Sequence, residues 1–300
     1  MEDGVALDLC TLRDHLAGKI VGRRLELESI LAAVAAGRDL LLEGPPGTSK
    51  STILRAITSS WGIPFVMVEG NAELTPARLI GHHNPARVLK EDYSPDNFVR
   101  GPLTEAMQSG GFLYIEEINR VPEDTLNALL SAMAEREMVI PRVGLIKARA
   151  TFRIVAAMNP FDNVGTAKIS VSVYDRLARL AVDYQSEADE REIVSLRSRS
   201  AHRRLIEDAV AVTRATRRHG ELRMGSSVRG AIDLVLIGEK LLELRGDAAT
   251  PEQWSALVQT AARLALSGRV HVEEMSERTP ETIIDGLVQA RLGGQSASQG

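Results

Sequence analysis

The chain has 300 residues, 44% hydrophobic and 25% charged, enough for one large domain or two moderate ones at ~150 residues each, with a core that needs no staples. Its 36 basic and 40 acidic residues leave a net charge of −4, which removes the overall basic footprint of a nucleic-acid binder but not a local basic stripe. The single cysteine, Cys10, excludes an internal disulfide framework and a cysteine-based zinc site, and fits a reducing compartment.

The opening residues MEDGVALDLC are acidic and lack the basic start and apolar run of a secretory leader. No stretch approaches ~20 consecutive apolar residues, so no membrane span is expected and the expectation is a soluble, cytoplasmic chain. Up to Val182, short apolar runs alternate with helical patterns. Leu40–Leu42, Pro64–Val68, Phe112–Ile115, Arg153–Met158 and Leu177–Val182 read as buried strands. Between them the clearest helix is Glu123–Arg136, where Leu126, Leu129, Leu130 and Met133 recur at helical spacing behind Pro122. Such alternation predicts a mostly parallel sheet covered by helices. Two segments interrupt it. Gly81–Gly101 is long and polar, and Glu137–Thr151 reads as a hairpin around Val143-Gly144. Both are expected to project from the core.

After Tyr184 the pattern changes. Apolar spacing at helical period recurs in Ala209–Val212, Val228–Leu244 and Trp254–Leu266, Thr250-Pro251-Glu252 is a helix start, and no convincing strand appears from Ser186 to Gly293. The expected organisation is an α/β domain over 1–185, a small all-helical domain over 186–292 and a disordered tail over 293–300.

Strand Leu40–Leu42 runs into GPPGTSKS, Gly44–Ser51, and a helical segment Thr52–Ser60 follows. Strand, glycine loop, Lys-Ser and helix come in the order a phosphate-binding loop needs, since successive backbone N–H groups and the helix dipole then favour an anion at one spot. Lys50 would reach terminal phosphates and the Ser51 hydroxyl would ligate magnesium. Ser49 stands where the common pattern has glycine before the lysine. A Gly/Pro-rich turn that carries Lys-Ser by chance would look alike on this segment alone. The second signal is Phe112–Ile115 ending in Glu116-Glu117. At the tip of a neighbouring strand the first carboxylate can hold magnesium and the second can polarise an attacking water. Aspartate is the usual residue at the first position. Asn159 ends the next strand-like run and would sit beside both, although Asn-Pro by itself is only a turn signal.

Taken in this order the motifs resemble the AAA+ ATPases, and within them the MoxR family. KIVGRRLELESILAAVAAGRDLLLEGPPGTSKS, GPLTEAMQSGGFLYIEEINRVPEDTLNALLSAMAE, IVAAMNP, VYDRL and GSSVRGAIDLV carry the resemblance over about residues 19–270. It implies a P-loop NTPase (AAA+) fold, a parallel five-stranded sheet with a small all-helical lid. It implies ATP and Mg²⁺ as ligands of Gly44, Pro45, Pro46, Gly47, Thr48, Ser49, Lys50, Ser51 and Thr52, with Ser51 and Glu116 on the metal. Glu116 and Glu117 become the Walker B pair, Asn159 sensor 1, and Ile20, Val21 and Gly22 the segment packed on adenine. Arg229 matches the lid arginine that reports on the γ-phosphate, and Arg176 the finger supplied to a neighbouring subunit. Arg120 is a second candidate for that contact, and spacing alone ranks Arg176 no higher than Arg179.

The same resemblance makes Gly81–Gly101 a helix-2 insert and Glu137–Thr151 a pre-sensor-1 hairpin that transmit nucleotide state. It implies a homo-oligomeric, hexameric ring that remodels or matures a partner complex, including metal-cofactor insertion, often with a von Willebrand factor A-domain partner. Two other readings compete. One is a DNA-dependent motor, against which stand the net charge and the lack of aromatics among the eight arginines and three acids from Arg197 to Arg223. The other is a nucleotide-gated scaffold with little turnover, motivated by Ser49 and Glu116. A magnesium-chelatase-like subunit is not separable from the first reading, and His82-His83 lacks the further ligands a metal site needs.

Overall fold

The computed structural model describes residues 8–91, 93–160, 169–245 and 250–293. The chain forms two compact units that divide between Asp183 and Tyr184, with Pro46–Thr48 grouped with the second. In the first, α1 (Leu9–Ala17) and α2 (Arg24–Ala35) precede β1 (Asp39–Glu43), α3 (Lys50–Trp61) and β2 (Phe65–Glu69). Then come α4 (Pro76–Ile80), β3 (Gly81–His83), α5 (Pro85–Glu91), β4 (Phe98–Arg100), α6 (Pro102–Ser109) and β5 (Phe112–Glu116). The unit closes with α7 (Glu123–Glu135), β6 (Glu137–Ile140), β7 (Gly144–Lys147), β8 (Arg153–Met158), α8 (Val171–Tyr174) and β9 (Leu177–Ala181).

Five strands form one parallel sheet in the order β2-β5-β8-β1-β9. The strands read as continuous apolar runs because both faces are covered, and the period-two alternation assigns the faces. Leu40, Leu42, Phe112, Tyr114, Val155 and Ala157 pack with Leu12, Leu27, Ile30, Ile53, Leu54 and Ile57 from α1, α2 and α3. Leu41, Leu113, Ile115, Ile154 and Ala156 point the other way, onto Leu79, Leu103, Met107, Leu126 and Leu129 from α4, α6 and α7. Each fully buried side chain of this size contributes about 2 kcal/mol.

Both expected interruptions are ordered pieces. The first holds α5 between the antiparallel strands β3 and β4. The second is the hairpin β6–β7, whose register pairs Glu137 with Lys147 and Ile140 with Gly144. His83 of the first packs edge-on against Tyr93 and Phe98 and approaches the Pro141 carbonyl of the second. Its ring is used in packing.

The second unit comprises α9 (Glu187–Ser198), α10 (Arg203–Thr216), β10 (Leu222–Met224), α11 (Val228–Arg245), α12 (Pro251–Leu266), β11 (His271–Val272) and α13 (Pro280–Gly293). Its helices enclose a core that includes Leu205, Val210, Leu234, Trp254, Leu257 and Ile284. Helix α12 opens with a capping box in which Thr250 and Gln253 exchange hydrogen bonds. The sequence reading placed no strand here, yet β10 and β11 form a short antiparallel pair. Two or three paired residues are too few to register as an alternating pattern. Gly293 closes α13, and the rest of the expected tail lies outside the described residues. Among the described residues no helix is long and apolar enough to cross a membrane.

Candidate nucleotide-binding site

The parallel register brings the carboxyl ends of the central strands to one edge of the sheet. Glu43 at the end of β1 pairs with Met158 of β8 and Ala181 of β9, and Ile115 of β5 pairs with Ala156. The segments that leave β1, β5 and β8 therefore begin side by side, which is where open α/β sheets place their ligands.

The segment leaving β1 is held at its root. Gly44 N–H donates to the Met158 carbonyl at 3.1 Å, and a Cβ on Gly44 would lie 1.9 Å from the Val182 carbonyl oxygen. Gly47 has φ +76°. Ser49 follows in the left-handed region with φ 68° and ψ 17°, and α3 starts at Lys50. The residue before the lysine thus has the conformation for which glycine is preferred, and serine adopts it. Lys50 is buried, with Nζ donating to the carbonyls of Gly44 and Pro45 at 2.9 Å each. Ser51 is half-buried in the first turn of α3, Thr48 is buried, and Thr52 is on the exposed side. The first turn of α3 holds no acidic residue to oppose an anion.

At the end of β5, Glu116 and the next residue, Glu117, are half-buried. Glu117 is the first residue past the strand and has φ 54° and ψ 46°. Its Oε2 lies 3.2 Å from Arg120 Nε, so Arg120 contacts the carboxylate of its own chain. Asn159 follows β8 and is half-buried. Ser51 and Glu116 are hard oxygen donors of the kind Mg²⁺ prefers, and with Lys50 they fit a magnesium–phosphate ligand.

The two arginines that spacing alone could not rank are separated here. Arg179 of β9 reaches the buried Glu43 carboxylate at 2.5 Å, bracing the end of β1. Arg176 is exposed after α8, with Nη1 bonded to the Ser172 carbonyl one turn earlier. Tyr174, the last residue of α8, contacts Met158 sulfur through its hydroxyl; burial, then the Glu43 charge, push its pKa up. Ile20 is buried and Gly22 is left-handed. Arg23, which the sequence reading passed over, is 2% exposed and donates to the Asp183 carbonyl at 2.6 Å, anchoring this segment. Gly70 was also passed over. Its N–H donates to the Glu116 carbonyl at 2.7 Å, and a Cβ there would come within 2.4 Å of the Glu117 carbonyl oxygen. Only a turn-like glycine after β2 marks it in the sequence. In the second unit, Arg229 is exposed in the first turn of α11.

Comparison with known proteins agrees with the fold. The AAA domain of the dynein-related subfamily matches residues 39–177. The chain is 32% identical over 169 residues to an uncharacterized protein, YojN, of Bacillus subtilis, covering 54% of this chain and 55% of YojN, little more than half that relative's length. It is 25% identical to the chaperone MoxR1 of Mycobacterium tuberculosis over 96% of this chain and 83% of that protein. The solved Holliday junction branch migration motor RuvB of Thermotoga maritima shares the fold, with 17% identity, a TM-score of 0.53 and coverage of 83% of this chain and 72% of RuvB. Loop, strand order and family match lead to one conclusion: residues 39–177 are an AAA domain, in a chain similar over nearly its whole length to the chaperone MoxR1.

Proposed function

We propose that the chain binds ATP with Mg²⁺ and hydrolyses it at interfaces between subunits of a ring, hexameric by analogy, to remodel or mature a partner protein complex in the cytoplasm. The observation that carries this reading is the convergence of the Gly44–Ser51 segment, Glu116-Glu117 and Asn159 on three adjacent strand ends. The first unit is the nucleotide-binding domain, over about 1–185, and the second the lid, over about 186–292. Gly44, Pro45, Pro46, Gly47, Thr48 and Ser49 wrap the phosphates with backbone N–H groups, and Lys50 leaves its loop carbonyls for the terminal phosphates. Ile20, Val21 and Gly22 pack on adenine. Ser51 and Glu116 hold the magnesium ion, which neutralises charge on phosphate oxygens when bound. Glu117 orients and polarises the water, Asn159 holds the γ-phosphate side of the site, and Arg229 reports on that phosphate. Thr52, being exposed, contributes through its backbone alone.

Arg176 is the residue offered to the neighbouring subunit, since it is solvent-exposed while Arg120 is drawn to Glu117. Such a cation contributes roughly 10³–10⁵ in rate. The relative's name, chaperone MoxR1, supports a chaperone-like role, and the family resemblance adds metal-cofactor insertion and a von Willebrand factor A-domain protein as the partner class. The basic run weighs against a DNA motor. Arg203, Arg204, Arg214 and Arg217 are paired with Glu207, Asp208 and Glu190.

The test is Glu117→Gln. ATP affinity is expected to stay near that of the native chain while turnover falls by about 10²–10⁴, the usual contribution of a positioned base. Full hydrolysis by this variant would overturn the assignment. Steady-state phosphate release from the native chain separates an ATPase from the nucleotide-gated scaffold that Ser49 and Glu116 would favour.

A further inference from the structure

The helical unit contains a buried charged cluster that none of the roles above uses. Glu190 of α9 is 1% exposed and accepts from two arginines, Arg217 Nη1 at 2.6 Å and Arg214 Nη1 at 3.1 Å. Arg217 caps the end of α10, and its one guanidinium meets three separate segments. Its Cζ lies over the Tyr184 ring, 3.8 Å from the centroid, and it pairs with Glu190 and donates from Nε to the Ser226 carbonyl at 2.7 Å. Arg214 adds a bond to the Gln185 carbonyl at 3.0 Å. Ser226 is itself 1% exposed and donates from its backbone to Thr216 Oγ at 2.9 Å. Gly225 is seated so closely that a Cβ there would lie 2.5 Å from Arg217 nitrogen, and one on Gly230 would lie 2.2 Å from Ser226 Oγ.

Tyr184 and Gln185 are the first residues of the unit, and Arg229 stands three positions beyond Ser226. We propose that Arg217 is a positioning residue for the ATPase reaction, pinning the segment that carries Arg229 to the start of the helical unit. A planar guanidinium can stack, pair and donate at once, which an ammonium cannot. With the pin in place, rotation of the unit about its junction carries Arg229 as part of a rigid body. Without it, the turn at Ser226 that leads into α11 loses its anchor, and the first helical turn that carries Arg229 frays. The inference rests on the ATPase reading and on the role given there to Arg229.

Hydrogen exchange, nucleotide affinity and turnover of the full chain with Arg217→Met and Arg217→Lys test it. In both variants the amides of 224–230 should exchange about tenfold faster or more while those of α12 keep their protection. Nucleotide Kd should stay within about threefold, turnover should fall about tenfold or more, and adding Arg217→Lys to Arg229→Ala should lower turnover no further. Lysine keeps a cation opposite Glu190, so it decides the matter if the methionine variant fails to fold. Unchanged exchange over 224–230, full rescue by lysine, or losses that multiply in the double variant overturn the proposal. A native chain that releases no phosphate overturns the ATPase reading instead, and the exchange pattern still decides whether Arg217 is the pin.

Discussion

Ser49 holds a conformation that costs a non-glycine residue about 1–2 kcal/mol, and it does so at the point where the loop turns into α3. Glycine there would relieve the strain but lose more freedom on folding, by about 0.5–1 kcal/mol. Ser49→Gly is therefore expected to leave stability unchanged or raise it by about 1 kcal/mol, with nucleotide binding intact. Ser49→Val should cost about 2 kcal/mol or more and weaken nucleotide binding, because a β-branched residue is a genuine outlier in this region. Urea melts and nucleotide titration of the two variants check this, and equal behaviour would remove the conformational account. The residue types themselves were legible. Lys50, Ser51, Glu116 and Glu117 stand in short local strings whose spacing carries the chemistry. The braces around them were not, since Arg179 meets Glu43 from 136 residues away and itself lies in no motif. For the same reason the residues themselves, without the family resemblance, told Arg176 from Arg179 only once β9 was placed beside β1.

At the scale of elements, the strands were legible because burial on both faces makes them apolar throughout, and the face each residue takes follows from its parity. What holds the far end of the sheet was not legible. Asp39, the first residue of β1, is 3% exposed and accepts from both Arg136 Nη atoms, at 3.2 and 2.8 Å, and from Ile154 N–H at 2.8 Å. Arg136 is the left-handed cap that ends α7 and starts the β6–β7 hairpin, so this pair ties the hairpin to the strand that feeds the phosphate loop. Burial pushes the Asp39 carboxyl above its ordinary 3.8, opposed by the Ile154 N–H and by Arg136. A carboxyl raised in the folded state favours folding below its unfolded value and loses that contribution as pH rises through the folded one. Removing Arg136 widens this window upward. Arg136→Met is expected to cost about 3 kcal/mol at about pH 7.5 and distinctly less at about pH 5, with part of the loss recovered by adding Asp39→Asn. Urea melts at the two pH values measure it, and a loss independent of pH would show that Asp39 does not titrate in that range.

For the molecule as a whole, near-balanced charge and an aliphatic core suit a chain that works beside copies of itself, and a shared site makes a prediction that no single-chain enzyme would meet. If Glu117 acts within its own subunit and Arg176 acts on the next, Glu117→Gln and Arg176→Ala are each nearly inactive alone. Mixed in equal amounts, they form some interfaces in which an intact Glu117 faces an intact Arg176. Random assembly into a closed ring makes these about a quarter of all interfaces, so the mixture should recover up to about a quarter of native turnover. Recovery should rise with incubation under conditions that let subunits exchange and should vanish on dilution below the assembly concentration. If both residues act within one chain, mixing leaves turnover at the average of two inactive proteins, and the site belongs to a monomer. The bonding of the two arginines favours the first outcome. Among the described residues Arg176 bonds only the Ser172 carbonyl of α8, whereas a structural arginine such as Arg179 is drawn onto a buried carboxylate.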